Sequence, residues 1–248
     1  MTDRWGQVAG DYLSSQWHSS DEALQKLVAM VEPEGGLVLD IGTGAGHTAF
    51  AFAPYVDAAI AFDSSQGMLD VAAQEADRRG LRNFETKLGD AHDLPYSEGQ
   101  LDGIACRCAA HHFRDVHKFA REVFRALKPG GWFLLVDTIG IEDSEADDKL
   151  DQFERWRDPT HVRNLTESAW REIGSDVGLS FVKSEAYSKP LNVKDWLDRQ
   201  RTPEPERTNC IRTILESSGD LKSYLNWTGT GDDLTFHLRE AAMLFRKP

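Results

Sequence analysis

Residues 38–46, with the sequence Val-Leu-Asp-Ile-Gly-Thr-Gly-Ala-Gly, decide the fold of this chain. The apolar run at 37–41 predicts a short buried strand, because glycines bound it on both sides. Glycines at 42, 44 and 46 follow, and an Ala- and Phe-rich segment typical of a helix comes next. Glycine lets the backbone approach a ligand closely. The stretch therefore predicts a ligand site beyond the carboxyl end of a strand in an open α/β sheet.

Strand and helix patterns alternate after this stretch. Further strands are predicted at 58–62, 84–88, 101–106 and 132–136. Helices are predicted between them, including 64–79 with Ser64 as its N-cap and 115–128 before Pro129. Such alternation implies right-handed crossovers and a parallel sheet covered on both faces.

The second half of the chain is less regular. Helices are predicted at 144–156, 166–177, 193–200 and 206–217, and strands at 179–186 and 235–245. The chain is thus expected to form one α/β domain over 1–248, with a doubly wound, seven-stranded, mostly parallel sheet. Its expected parts are an N-terminal helical segment at 1–33, a ligand-binding half at 37–140 and a helical insertion at 190–233 that could form a lid.

The composition of the chain excludes several classes of function. Its 248 residues carry 28 Lys and Arg against 41 Asp and Glu, a net charge of −13, which disfavours broad nucleic-acid binding. No apolar stretch reaches the roughly 18 residues of a membrane helix, and the N-terminus lacks the apolar region of a signal peptide. Three cysteines fit a reducing compartment. We therefore expect a cytoplasmic protein without membrane insertion.

Two nucleotide-binding patterns use a glycine loop of this kind. The dinucleotide fingerprint GxGxxG requires glycine at position 47, where this chain has His47. The loop reads GxGxG instead, with Asp40 two residues before the first glycine. This pattern resembles motif I of the class I methyltransferases that use S-adenosyl-L-methionine (SAM). A glycine turn without a ligand is the alternative.

Two acids at predicted strand ends extend the resemblance. Asp63 ends the second strand, 17 residues after Gly46, and its carboxylate can accept hydrogen bonds from both hydroxyls of a ribose. Asp90 follows the third strand, where the family's acid meets the adenine amino group. The alternatives are structural, since Asp63 could cap the next helix and Asp90 could stabilise a turn.

Residues 101–104 resemble the family's motif IV, and residues 125–136 resemble its characteristic helix, turn and fifth strand. More closely, the chain is similar to the bacterial ubiquinone/menaquinone-methyltransferase-like group. The resemblance implies SAM as cofactor, S-adenosyl-L-homocysteine (SAH) as product and a small-molecule acceptor. The cofactor-binding residues that it implies are Asp40, Gly42, Thr43, Gly44, Gly46, His47, Asp63, Ser64, Met68, Gly89, Asp90, Ala91 and Arg107.

Methyl transfer from a sulfonium is an in-line displacement, in which alignment supplies much of the catalysis. A general base is needed only when the acceptor begins protonated. His111 and His112, just beyond the fourth strand, are the candidate bases, suited to a phenol or an enol-like carbon acid, so oxygen or carbon methylation is favoured. Alternatively, one ring packs structurally or stacks on adenine. Adjacent histidines do not share a helix face, so no metal site is expected.

Substrate-binding candidates lie outside the cofactor motifs. Tyr12 and His18 could close over the cofactor, or their segment could simply dock as a helix. Asp137 ends the fifth strand and could bind substrate or cap a turn. A cationic and polar cluster could hold an anionic or carbonyl-bearing substrate, or pair with nearby acids in salt bridges. The cluster consists of Arg157, His161 and Arg163.

Two other functions remain open from the sequence. One is an NAD-dependent oxidoreductase, against which His47 argues. The other is a non-catalytic regulatory protein that binds SAM, because cofactor binding does not establish transfer. A homodimer is also left open, since apolar edge positions are not distinguished from core positions. Cys106 and Cys108, on the fourth strand, are expected to be core residues.

Overall fold

The computed structural model describes residues 21–248, so Tyr12 and His18 lie outside the described residues. A seven-stranded sheet has the order β3-β2-β1-β4-β5-β7-β6. Its strands are β1 (Leu37–Ile41), β2 (Ala58–Asp63), β3 (Phe84–Leu88), β4 (Leu101–Arg107), β5 (Leu127–Thr138), β6 (Ser180–Asn192) and β7 (Thr235–Arg246).

Nine α-helices lie within the described part of the chain. They are α1 (Asp21–Val31), α2 (His47–Phe52), α3 (Gln66–Arg79), α4 (Val116–Ala126), α5 (Ser144–Arg157), α6 (Glu167–Asp176), α7 (Val193–Arg199), α8 (Glu206–Leu215) and α9 (Gly219–Leu225). None of these helices is long and apolar enough to cross a membrane.

Parallel pairing brings the ends of five strands together. Strands β3, β2, β1, β4 and β5 pair in parallel. In register, Ile41 of β1 lies between Phe62 of β2 and Cys106 of β4, and Asp63 lies beside Leu88 of β3. The carboxyl ends of these strands therefore meet at one edge of the sheet. The predicted α/β class with a mostly parallel sheet is confirmed.

Strand β7 runs against its neighbour β5. The amide of Gly130, early in β5, donates to the carbonyl of Lys247, just past β7. At the other end, the amide of Ile139, just past β5, donates to the carbonyl of Arg239. Residue numbers thus increase along β5 in the direction in which they decrease along β7, so the pair is antiparallel.

The chain divides into two compact units. Among described residues, the first comprises 21–136, 171–184 and 242–248, and the second comprises 137–170 and 185–241. In the first unit, α1 buries Leu24, Leu27, Val28 and Val31, the stripe at i, i+3, i+4 and i+7, in one core with strand residues of the sheet. In the second unit, Phe153 stacks on Trp196 at 4.8 Å between ring centroids, within a core that α5 shares with α7, α8 and α9.

Some element boundaries differ from the predictions. Strand β5 begins at Leu127 rather than at 132, with a register shift where pairing passes from Leu101–Leu127 to Gly103–Trp132. Strand β6 extends to Asn192 instead of ending at 186. Helix α9 was not predicted, because the Ser-Ser-Gly-Asp sequence at its start is typical of a turn.

The N-cap of α3 is Ser65, and the prediction that Ser64 caps this helix is wrong. The Ser65 hydroxyl accepts a hydrogen bond from the amide of Met68 at 3.2 Å, and Ser65 is only 4% exposed. Ser64 lies one residue earlier and is exposed. A hydroxyl at the N-cap satisfies an amide that would otherwise lack an intrahelical partner.

Replacing the cap gives a direct test of this assignment. Ser65→Ala should lower the free energy of unfolding by about 1 kcal/mol, because the Met68 amide loses its acceptor. Ser64→Ala is the matched control and should leave stability unchanged. Urea denaturation followed by circular dichroism measures both, and equal losses in the two variants would contradict the assignment.

Candidate functional site

The loop after β1, residues 42–46, closes onto the end of β2. The amides of Gly42 and Thr43 both donate to the carbonyl of Phe62, at 2.8 and 3.1 Å. The amide of Gly46 donates back to the carbonyl of Thr43 at 3.0 Å. The glycines at 42, 44 and 46 have φ angles of 67°, 53° and 93°, which side-chain residues rarely adopt.

The three glycines have different surroundings. A Cβ atom on Gly42 would lie 2.4 Å from the Cβ of Ala109, and one on Gly46 would lie 2.6 Å from the ring of Phe50. These two glycines are therefore required by packing within the protein. A Cβ on Gly44 would meet no described atom within 4 Å, so the backbone there faces open space.

Asp40, on β1, directs its side chain against the loop and is only 1% exposed. Its Oδ2 accepts from the Thr43 hydroxyl at 2.6 Å and from the Ala49 amide at 3.1 Å. Its Oδ1 has no hydrogen-bond partner among the described residues. Burial raises the pKa of Asp40 to about 7, although these hydrogen bonds and the charge of Arg107 act in the opposite direction. Asp40 thus carries a buried acceptor that no described residue satisfies.

Asp63 joins the loop to α3. Its Oδ2 accepts from the amide of Gly44 at 2.9 Å, and its Oδ1 accepts from the amide of Ser65 at 2.9 Å. The Asp63 carboxylate therefore fixes the glycine loop relative to the start of α3. Beside this carboxylate, Ser64 is exposed and Met68 is buried. The helix cap that was the structural alternative for Asp63 belongs to Ser65 instead.

Asp90 lies in a turn just beyond β3, and its side chain is 68% exposed. Its Oδ1 accepts from the amide of His92 at 2.9 Å and lies 2.6 Å from Nδ1 of the same residue. Partial burial would raise the pKa of Asp90, but the hydrogen bonds from His92 outweigh it and hold the pKa below its ordinary value. Gly89 precedes this turn, and a Cβ there would lie 2.4 Å from the ring of Phe62. Ala91 is buried.

Residues 109–115, which we call the histidine segment, follow β4. Its first residue, Ala109, packs on Gly42, so the segment is held beside the glycine loop. His111 and His112 lie in a short 3-10 turn, half-buried, with ring centroids 4.1 Å apart. The structure therefore brings the two candidate bases to the edge where the cofactor candidates lie.

Two other cofactor candidates flank this edge. Arg107 ends β4 and is partly buried, and its charge acts on Asp40. His47 begins α2 and is buried, with its ring edge-on to Phe50 at 6.4 Å. His47 thus occupies the helix start where the dinucleotide fingerprint would have its third glycine.

The substrate candidates of the second unit engage in contacts within that unit. Arg157 donates to the carbonyl of Trp196 at 3.1 Å and lies over its ring. His161 Nε2 lies 3.0 Å from Asp151 Oδ1, and both side chains are buried. The remaining two candidates are also bonded locally: Arg163 donates to Asp147 at 2.7 Å, and Asp137 accepts from the Thr138 amide at 2.8 Å. A substrate role for these four residues stays a prediction.

The cysteines have different surroundings. Cys106 is fully buried, as expected of a core residue, whereas Cys108 is only partly buried. Burial raises the pKa of the Cys210 thiol to about 12, so it stays protonated. Across residues 21–248, no group of three or more His, Cys, Asp or Glu side chains is placed to hold a metal ion.

Comparison with known proteins identifies the family. A family model described as a methyltransferase domain matches residues 39–135. The methyltransferase YcgJ of Bacillus subtilis is 42% identical over 183 residues, which cover 74% of this chain and 72% of YcgJ. YafE of Escherichia coli is 37% identical over 184 residues, covering 74% of this chain and 88% of YafE.

The solved structures agree with the sequence relatives. The crystal structure of YcgJ has a TM-score of 0.87 and 34% identity, covering 91% of this chain and 98% of YcgJ.

A more distant sequence relative matches a shorter part of the chain. This demethylmenaquinone methyltransferase of Deinococcus radiodurans is 34% identical over 103 residues, covering 40% of this chain and 42% of that enzyme. The chain belongs to the class I SAM-dependent methyltransferases. The relationship confirms the predicted enzyme class and favours neither of the two alternatives.

Two features of the glycine loop fit an S-adenosyl ligand. The unpartnered Oδ1 of Asp40 is a buried acceptor suited to a cationic or N–H-bearing group. The backbone of Gly44 faces open space, although its φ angle already demands glycine. A buried acceptor without a partner is costly, so a ligand that supplies a donor would relieve that cost.

A pair of glycine variants separates backbone strain from loss of ligand space. Gly44→Ala and Gly80→Ala should destabilise the protein similarly, by about 1–2 kcal/mol, because both positions have positive φ angles and open surroundings. Only Gly44→Ala should weaken SAH binding, by about tenfold or more, because its methyl group fills the space beside the loop. Calorimetric titration measures the affinity. Equal SAH affinity in both variants would contradict a ligand site at Gly44.

Proposed function

We propose that this chain transfers a methyl group from SAM to an oxygen or carbon atom of a small molecule, at the carboxyl edge of β1 to β4. The observation that carries the proposal is the buried Oδ1 of Asp40, which no described residue satisfies, beside a loop whose Gly44 backbone faces open space. When bound, SAM supplies a methyl group activated by a sulfonium. The protein's contribution is then to bind SAM and the acceptor, to align them and, where needed, to remove a proton from the acceptor.

Each of three carboxylates contacts a different part of the cofactor. Asp40 Oδ1 is suited to the amino group of the methionine part, since it has a free acceptor position. Asp63 accepts from the ribose hydroxyls, because its carboxylate lies at the end of β2 next to the open backbone of Gly44. Asp90 accepts from the adenine amino group with Oδ2, because Oδ1 is bonded to His92. Negative charge at this edge also favours a ligand that carries a cationic sulfonium.

The backbone geometry supports this division. Asp63 receives the amide of Gly44, so the ribose acid and the open glycine are fixed relative to each other by one hydrogen bond of 2.9 Å. Gly89 packs on Phe62, whose carbonyl also holds the loop amides of Gly42 and Thr43. The turn of Asp90 and the glycine loop are thus both anchored on the end of β2. Such preorganisation lowers the cost of ordering the site when a ligand binds.

His111 and His112 are the candidate general bases. They follow Ala109, which packs on Gly42, so they lie beside the loop that holds the cofactor. Both rings are partly exposed, which leaves them accessible to a substrate proton. A neutral imidazole near physiological pH suits removal of a proton from a phenol or an enol-like carbon acid. For this reason we favour an acceptor that begins protonated on oxygen or carbon.

Alanine variants of the two histidines test the proposed base. His111→Ala or His112→Ala should lower turnover by about a hundredfold or more, with SAH affinity retained, because deprotonation is lost while the cofactor contacts remain. SAH release over a panel of phenols, enols and amines measures turnover, and titration with SAH measures affinity.

His237→Ala is the matched control for this experiment. His237 lies on β7, partly buried, with its Nδ1 near the carbonyl of Asn226, and it has no proposed role at the site. Its replacement should leave turnover unchanged. Full activity in both His111→Ala and His112→Ala would reject the base assignment.

A further inference from the structure

His92 links Asp90 to the histidine segment. Its Nδ1 lies 2.6 Å from Oδ1 of Asp90, and its Nε2 lies 3.4 Å from the amide nitrogen of Asp115. The side chain is 19% exposed, so the ring is mostly enclosed. One ring therefore contacts both the turn after β3 and the end of the segment after β4.

The hydrogen bonds define the tautomer of this ring. A backbone amide is only a donor, so Nε2 must accept from Asp115 and carries no proton. In the neutral ring the proton then lies on Nδ1, which donates it to the Asp90 carboxylate. The bond to Asp90 is short and charge-assisted, whereas the bond to Asp115 is long and therefore weak.

Aromatic packing reinforces the contact between His92 and the histidine segment, where the hydrogen bond to Asp115 is weak. Phe113 meets His92 edge-on, with 5.6 Å between ring centroids, and Phe113 in turn meets the buried Phe119 of α4 at 4.8 Å. The carboxylate of Asp115 caps α4 by accepting from the Lys118 amide at 2.8 Å. The end of the histidine segment is thus fixed between His92 and the start of α4.

We propose that His92 is a positioning residue that couples occupancy of Asp90 to the order of the histidine segment. The coupling rests on the proposed function, in which Asp90 binds adenine and the segment carries the base. A ligand donor on Oδ2 of Asp90 fixes the carboxylate, and the fixed carboxylate holds the ring of His92 in place. In this position, Nε2 of His92 accepts from the Asp115 amide, and the ring stays in edge-on contact with Phe113.

The coupling has a measurable consequence for amide hydrogen exchange. In the wild type, saturation with SAH should slow exchange at Phe113 and Asp115 by about tenfold, because a held ring protects the segment from local opening. Exchange can be read by mass spectrometry or by nuclear magnetic resonance, and neither method needs an acceptor or turnover. SAH affinity is measured on the same samples by calorimetry.

Two conservative variants remove the hydrogen bond to Asp90 and the hydrogen bond from Asp115 separately. His92→Asn keeps a donor near the position of Nδ1 but loses the acceptor for Asp115. His92→Gln keeps an acceptor near the position of Nε2 but loses the donor to Asp90. We expect His92→Asn to bind SAH nearly as the wild type does, and His92→Gln to bind about fivefold to tenfold more weakly.

Both variants should lose the SAH-dependent slowing of exchange at Phe113 and Asp115, because each removes one of the two hydrogen bonds through which His92 connects Asp90 to the segment. A purely structural His92 would instead change stability without separating affinity from protection. Thermal unfolding of each variant shows that it is folded before exchange is measured. His237→Asn, in the second unit, is the matched control and should behave as the wild type in both assays.

The outcomes distinguish this inference from the function on which it rests. Wild type that binds SAH without slowing exchange at Phe113 and Asp115 would overturn the coupling alone. Slowing that persists in both His92 variants would also overturn it, because the ligand would then protect the segment directly. Wild type that does not bind SAH would overturn the proposed function together with the coupling.

Discussion

The burial of the Asp40 carboxylate is the constraint on which the site depends. One oxygen organises the glycine loop from within, by accepting from Thr43 and from the first turn of α2. The other oxygen has no partner among the described residues. Burial of this carboxylate is costly and raises its pKa, and a ligand that donates to the second oxygen would offset that cost.

The parallel sheet turns this local feature into a site. Because β1 to β4 end at one edge, acids far apart in the sequence become neighbours, and Phe62 anchors both the glycine loop and Gly89. Ala109 fills the space that Gly42 leaves, which brings the two histidines to the same edge. The proposed cofactor contacts, the proposed bases and the proposed link through His92 therefore depend on a few packing and backbone contacts in the first compact unit.

Much of this could be predicted from the sequence, where local pattern and final structure agree. The apolar run at 37–41, the glycines after it and the acids at strand ends carry information at short range, so the strands and their parallel order followed from them. The cofactor roles of the acids stay a prediction. The cap of α3 was assigned one residue early, since adjacent serines offer the same hydroxyl. His92 was not found, because its partners Asp90 and Asp115 meet only after two strands have paired with the sheet. The spacing of Asp90 and His92 was the one local signal, and it is also typical of an ordinary turn.

We infer that the glycine loop and its acids bind an S-adenosyl ligand. Calorimetric titration of the wild-type protein with SAH, with NADH as the comparison ligand, tests it most directly. We expect one saturable SAH site per chain and no binding heat with NADH. Absence of SAH binding, or saturable binding of NADH in its place, would show that the loop is not an S-adenosyl site.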